Sequence, residues 1–172
     1  WTPEGDGLTV SVDGDIYILP LHDAPAVRLT RAAGRDAFAA WSHDGSALLF
    51  ASDRSGDQEI FIADPDGASP RPLTDNDLDD SWPAWSPDGR RIAFMRRNGE
   101  HWHIWIMNVD GSGARRLMDA PGHEFNPVWS PDGEWILFEA SREGSGNDDI
   151  YVVRSDGSGD RRLTDTPAND IY

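Results

Sequence analysis

A pentad ending in Asp-Gly recurs along this chain every 44 residues. Trp-Ser-Pro-Asp-Gly occupies Trp85 to Gly89 and again Trp129 to Gly133, and Trp-Ser-His-Asp-Gly occupies Trp41 to Gly45. A divergent copy, Trp-Thr-Pro-Glu-Gly, stands at Trp1 to Gly5, so the chain is built from four units. Periods in the forties belong to blades and solenoids, whose units cannot bury an apolar face alone and must stack on neighbours.

Two further columns keep the period and fix the whole unit. An Ile-aromatic step falls at Ile16-Tyr17, Ile60-Phe61, Ile104-Trp105 and Ile150-Tyr151, with spacings of 44, 44 and 46 residues. A Leu signal with the same spacing falls at Arg28-Leu29-Thr30, Pro72-Leu73-Thr74, Arg116-Leu117-Met118 and Arg162-Leu163-Thr164. The apolar runs are short, rich in Ile, Val, Phe, Tyr and Trp, and bounded by Gly, Asp, Pro or Ser, which predicts short strands; no segment sustains a helical period. Asp-Gly pairs such as Asp66-Gly67, Asp110-Gly111 and Asp156-Gly157 supply the positive φ of tight turns.

Four strands per unit, joined by tight turns, predict an all-β fold: a β-propeller of four-stranded antiparallel blades. The third unit is expected to run from an innermost strand over Asp80 to Trp85, through Arg91 to Met95 and His103 to Asn108, to an outer strand over Ala114 to Met118. The units are placed at 1–34, 35–78, 79–122 and 123–168, with 169–172 completing the strand that contains Trp1. In the first unit Trp1 to Ile16 is 15 residues where Trp41 to Ile60 is 19, so its second and third strands are expected to meet in a hairpin at Asp13-Gly14.

The motifs Pro83-Ala84-Trp85-Ser86-Pro87-Asp88-Gly89, Ile104-Trp105-Ile106-Met107-Asn108-Val109-Asp110-Gly111 and Arg115-Arg116-Leu117 resemble the TolB-like propeller repeat, a relative of the WD-type repeat, over nearly the whole chain. The resemblance implies a non-catalytic protein or peptide interaction module, a bacterial cell-envelope or periplasmic location, and cations in the central channel. TolB-like propellers usually have six blades, so the four units read either as a closed ring, which would be monomeric, or as whole repeats of a larger propeller, which would expose edges for homo-oligomer contact. Similar repeats occur in the propellers of prolyl-oligopeptidase-type peptidases, so an accessory domain of a larger enzyme is the alternative reading.

Composition narrows the partners. The chain carries 31 acidic residues against 15 basic ones, all of the latter Arg, for a net charge of −16. Such a surface is a poor match for nucleic acid. The absence of Cys removes disulfides and thiolate metal sites. No apolar run reaches the length of a membrane-spanning helix. No signal peptide is visible, and the cytoplasm stays open as a location.

Counting back five residues from each pentad Trp gives Asp36, Asp80 and Glu124, and Asp170 occupies the same column. One carboxylate per innermost strand, converging on an axis, points to Ca²⁺ or a similar hard cation, with hydrogen bonding of each acid to backbone amides of its own or the adjacent blade as the competing role. The loops on the same side contribute Arg35, Phe38, Asp79, Trp82, Arg97, His123, Asn126, Arg142 and Tyr172, a set of arginines and aromatics suited to docking a peptide or protein. Arg54 is expected to neutralise Asp53 or Asp57. Catalysis finds little support. The five His show no metal-type spacing, His101 and His103 read as neighbours on an exposed edge, and no Gly-x-Ser-x-Gly elbow occurs.

Overall fold

The computed structural model describes residues 1–142 and 147–171, which form strands and turns with no helix among them. The chain divides into two compact units, Trp1–Trp85 and Ser86–Tyr172. The first sheet consists of β1 (Gly7–Val12), β2 (Asp15–Pro20) and β3 (Val27–Arg28), and the second of β4 (Asp36–Trp41), β5 (Leu48–Ser52), β6 (Glu59–Ala63) and β7 (Arg71–Pro72). Strand β8 (Asp80–Trp85) opens the third sheet, which continues through β9 (Arg91–Asn98), β10 (His101–Asn108) and β11 (Arg115–Arg116). The fourth holds β12 (His123–Trp129), β13 (Trp135–Ser141), β14 (Asp149–Arg154) and β15 (Arg161–Arg162). Spatial order follows chain order in every sheet, giving the antiparallel meander of a propeller blade.

Strand β8 has the bounds that the sequence predicts, whereas β9 and β10 extend to Asn98 and His101 and close on a tight turn at Gly99, with φ +65°. Strand β10 is interior to its sheet, but β11 pairs only with Trp105 and Ile106, so His101 remains exposed while His103 is buried. The first sheet has three strands rather than four, because Trp1 to Gly5 form a turn and the first ladder starts at Gly7. Trp1 and residues 169–171 lie outside strands. The first-unit hairpin is as expected: Val12 pairs with Asp15 across Asp13 and Gly14, both at positive φ.

The pentad is a hydrogen-bonded turn. Ser42, Ser86 and Ser130 each donate through Oγ to the Asp two residues on, at 2.7, 2.6 and 2.5 Å. The same Oγ accepts the amides of Ala47, Arg91 and Trp135, while each Asp accepts an amide two residues further along. These bonds hold Asp44 down to about 2 and Asp88 and Asp132 below the usual carboxylate range. The divergent first copy keeps the device with different residues: Thr2 Oγ1 donates to Asp6 at 2.8 Å and accepts the Gly7 amide at 3.0 Å.

Within the first unit, Ile16 and Leu29 of sheet one pack with Leu48, Phe50, Phe61 and Ala63 of sheet two. The pentad Trp reaches the preceding sheet: Trp41 Nε1 donates to Thr9 Oγ1 at 2.7 Å, and Trp85 Nε1 to the Ala40 carbonyl at 3.1 Å. Gly67 sits so close to the preceding sheet that a Cβ there would lie 2.1 Å from the Leu29 carbonyl oxygen, and Gly157 stands at the same distance from that of Leu117. The Leu and Asp-Gly columns thus coincide because the turn of one blade abuts the Leu of its predecessor.

Candidate docking face and the groups beneath it

Strands β4 and β12 each carry a bulge, with register shifts between Ala37 and Ala40 and between Phe125 and Val128. Phe38 and Asn126 occupy these bulges at φ +56° and +52°, and Trp82, at the matching position of β8, has φ +52°. A left-handed backbone at a bulky side chain costs on the order of 1–3 kcal/mol, and such strain gathers at functional sites. In the first unit it turns two aromatic rings together: Phe38 and Trp82 stack with centroids 4.4 Å apart, and Trp82 remains 41% exposed.

The acids of the predicted column are occupied. Both Asp36 oxygens accept from Arg54 Nη2 at 2.8 Å, so Arg54 neutralises this buried carboxylate rather than Asp53 or Asp57. Asp80, fully buried, accepts from Asn76 Nδ2 at 3.0 Å. Glu124, also fully buried, accepts the Ile104 amide at 2.9 Å and pairs with Arg142 at 3.4 Å; burial raises its pKa against these favourable contacts. Asp170 accepts from Thr166 Oγ1 at 3.1 Å. Among the described residues no three His, Asp or Glu side chains form a group able to hold a metal ion. A donor set whose lone pairs already face guanidinium, amide and hydroxyl groups does not fit a Ca²⁺ cage of six to eight oxygens.

The loop arginines also have interior roles. Arg54 lies over Phe50 and Phe61, Arg96 over Phe94 and Trp105, and Arg142 over Phe138 and Tyr151, at 4.3–5.7 Å from the ring centroids. Each guanidinium caps the aromatic pair of its own sheet. Arg142 is only 13% exposed and also holds Asp160, so it is tied into its own sheet. Arg35 and Arg97 are exposed; the Arg35 amide donates to Asp53 at 2.6 Å, and Arg97 Nε donates to the Gly99 carbonyl. Asp79 accepts the Gln58 amide at 3.3 Å, and the Asn126 amide meets Met95 Sδ at 3.4 Å. His123 stacks on Phe125 and lies 4.7 Å from the His101 ring. Tyr172 falls outside the described residues.

The sequence reading missed a second column, the residue before each Ile-aromatic step, which faces the residue before each Leu. Asp15 pairs with Arg28 at 2.5 Å and Asp149 with Arg162 at 2.7 Å. The two middle units break this pair in complementary ways. In the second, Pro72 replaces the arginine, and Glu59 instead accepts the Asn76 amide at 2.6 Å. Burial, with Asp80 and Asp57 adding repulsion, pushes Glu59 up to about 7. In the third, His103 replaces the acid; its Nδ1 lies 2.8 Å from Arg116 Nη2, and burial beside that cation drives it down to about 4. The signal was present in the columns, but only pairing across β10 and β11 joins them.

Residues 78–172, more than half of the chain, match the family description "TolB beta propeller domain". The chain belongs to the TolB beta-propeller family. Among solved structures it is similar to one from Agrobacterium tumefaciens that carries the TolB name, at 30% identity and a TM-score of 0.88, covering 96% of this chain and 60% of that one. TolB from Acinetobacter baumannii matches at 23% identity and TM-score 0.82, over 96% of this chain and 42% of its own. A chain of a nidogen/laminin complex matches at 20% identity and TM-score 0.75, over 92% and 61%. The last two show likeness of fold alone. This TolB-family chain spans less than two thirds of each of these structures' length.

Proposed function

We propose that this chain is a non-catalytic peptide- or protein-binding module of the bacterial cell envelope, docking its partner on the surface that Phe38 and Trp82 present in the Trp1–Trp85 unit. The carrying observation is the stacked Phe38–Trp82 pair, two large rings held at strained backbone positions with Trp82 open to solvent. Exposed Trp rings are favoured anchors, since they bury much area at little entropic cost. Family membership supports the coarse reading of a protein-interaction domain. In this reading Asp36 and Asp80 fix the loops around that surface, and a channel cation is not needed.

Trp82→Gly is the decisive substitution, because glycine adopts φ +52° without strain and the fold gains backbone ease as the ring is lost. Peptides selected from a displayed library on the intact chain are expected to bind the Trp82→Gly and Phe38→Gly variants at least about tenfold more weakly, about 1.4 kcal/mol. The thermal midpoint of Trp82→Gly should stay level or rise. Undiminished peptide affinity in both variants, measured by calorimetry, would sink the proposal.

A further inference from the structure

A cavity of about 430 Å³ opens in the Ser86–Tyr172 unit beside the broken pair of the third sheet. His101, His103, Arg116 and Asp119 line it together with the backbone stretch 120–122. In the first and fourth sheets the arginine at this position meets a carboxylate of its own sheet, Arg28 with Asp15 and Arg162 with Asp149. In the third, the carboxylate is gone and the cavity adjoins the imidazole that replaces it. We propose that this cavity is a carboxylate-binding subsite, in which an acidic side chain or the chain terminus of a bound peptide supplies the anion that Arg116 lacks from its own sheet.

The donor inventory supports this. Arg116 Nη2 faces His103 Nδ1 at 2.8 Å and donates to the Ala120 carbonyl at 2.7 Å, and Nη1 donates to Asp119 at 3.1 Å. Of five guanidinium hydrogens, this leaves the second on Nη1 and the one on Nε, a buried atom without a hydrogen-bond partner among the described residues. Among the described residues Asp119 is the carboxylate in direct ion-pair contact with Arg116, and its side chain is fully exposed, so water screens the pair. Burial keeps His103 neutral at pH 7, with its proton on Nε2 when Nδ1 accepts from Arg116. Arg116 is therefore the fixed charge of the cavity. His123, whose Nδ1 is also buried without a hydrogen-bond partner among the described residues, backs His101 at 4.7 Å. Glu124 lies 3.9 Å from His103, but the Ile104 amide and Arg142 hold its oxygens.

The source of the carboxylate rests on the peptide-binding reading; the subsite itself does not. Titration of the intact chain with N-acetyl-aspartate, followed by NMR of the imidazole and guanidinium signals, reads the cavity alone and can fail or succeed independently of the Trp82→Gly result. Saturable shifts of His101 and His103 are expected, weakened at least about tenfold by Arg116→Gln. The sharper variant is His103→Asp, which recreates the Asp–Arg pair of the first and fourth sheets. It should keep or raise the thermal midpoint and still lose at least about tenfold in affinity. With selected peptides, amidating the terminus or replacing Asp by Asn identifies which carboxylate enters. Binding to His103→Asp as tight as to the unaltered chain, inorganic phosphate binding as tightly as N-acetyl-aspartate, or indifference to both peptide changes would each overturn the proposal.

Discussion

Glu124→Ala is expected to destabilise the Ser86–Tyr172 unit by about 2–4 kcal/mol, since it leaves the buried Ile104 amide without its acceptor and takes one carboxylate from Arg142, which keeps Asp160. Glu124 does two tasks at once. In the other three units the amide of the Ile-aromatic step is taken by the Thr of the Leu-Thr signal: Ile16 by Thr30, Ile60 by Thr74 and Ile150 by Thr164, at 2.9–3.0 Å. The third unit has Met118 in place of that Thr, and the Ile104 amide turns to Glu124 Oε2 instead. A Glu stands where Asp36 and Asp80 stand because only the longer side chain reaches both Ile104 and Arg142. Glu124→Asp alone should therefore cost about 1–3 kcal/mol, the range for one buried group left unsatisfied.

Met118→Thr alone should also be unfavourable, because it removes a buried apolar side chain that contacts Arg142 while its new hydroxyl competes with Glu124 for one amide. The pair of changes recreates the arrangement at the junction of the first and second sheets, where Thr30 takes the Ile16 amide and Asp36 pairs with Arg54. Urea unfolding of the two single variants and the double should give a favourable coupling of at least about 1 kcal/mol. Strict additivity would mean that the two columns are not linked through Ile104.

The repeats made the fold readable. Three columns in one register located the strands, the hairpin at Asp13-Gly14 and the structural role of the pentad, all of which depend on neighbours within a few residues. The candidate site was less legible because its groups are joined across strands. Asp36 looked like a cation ligand until Arg54, 18 residues away, closed on both its oxygens. Glu124 looked like a conservative variant of Asp36 and Asp80, yet its extra methylene compensates for Met118. Arg142 read as a surface anchor, although the rings of Phe138 and Tyr151 beneath it show why it is held in. Phe38 and Trp82 stood out as loop aromatics, but no sequence pattern announces the positive φ that each adopts.

The opposed defects of the second and third units predict a pH profile that neither would give alone. Glu59 titrates near 7 in the folded chain against about 4.5 unfolded, so the folded state binds its proton more tightly; the associated stability is full below pH 4.5 and lost as pH rises through 7. His103 titrates near 4 against about 6.5 unfolded, so its contribution is full above pH 6.5 and lost as pH falls through 4. Each limb is worth at most about 3 kcal/mol. Between pH 4.5 and 6.5 they run in opposite directions and nearly cancel. The lowered turn carboxylates Asp44, Asp88, Asp132 and Asp156 act only below this window. Glu59→Gln, which keeps an acceptor for the Asn76 amide, should leave the His103 limb exposed: stability climbs by up to about 3 kcal/mol from pH 4 to 6.5 and stays high at pH 8, above the unaltered chain. His103→Gln should leave the mirror image, stability falling from pH 4.5 to 7.5. Urea midpoints across this range decide the matter: a Glu59→Gln curve running parallel to that of the unaltered chain from pH 4.5 to 7.5 would show that Glu59 is ionised normally and that the missing arginine at Pro72 carries no electrostatic consequence.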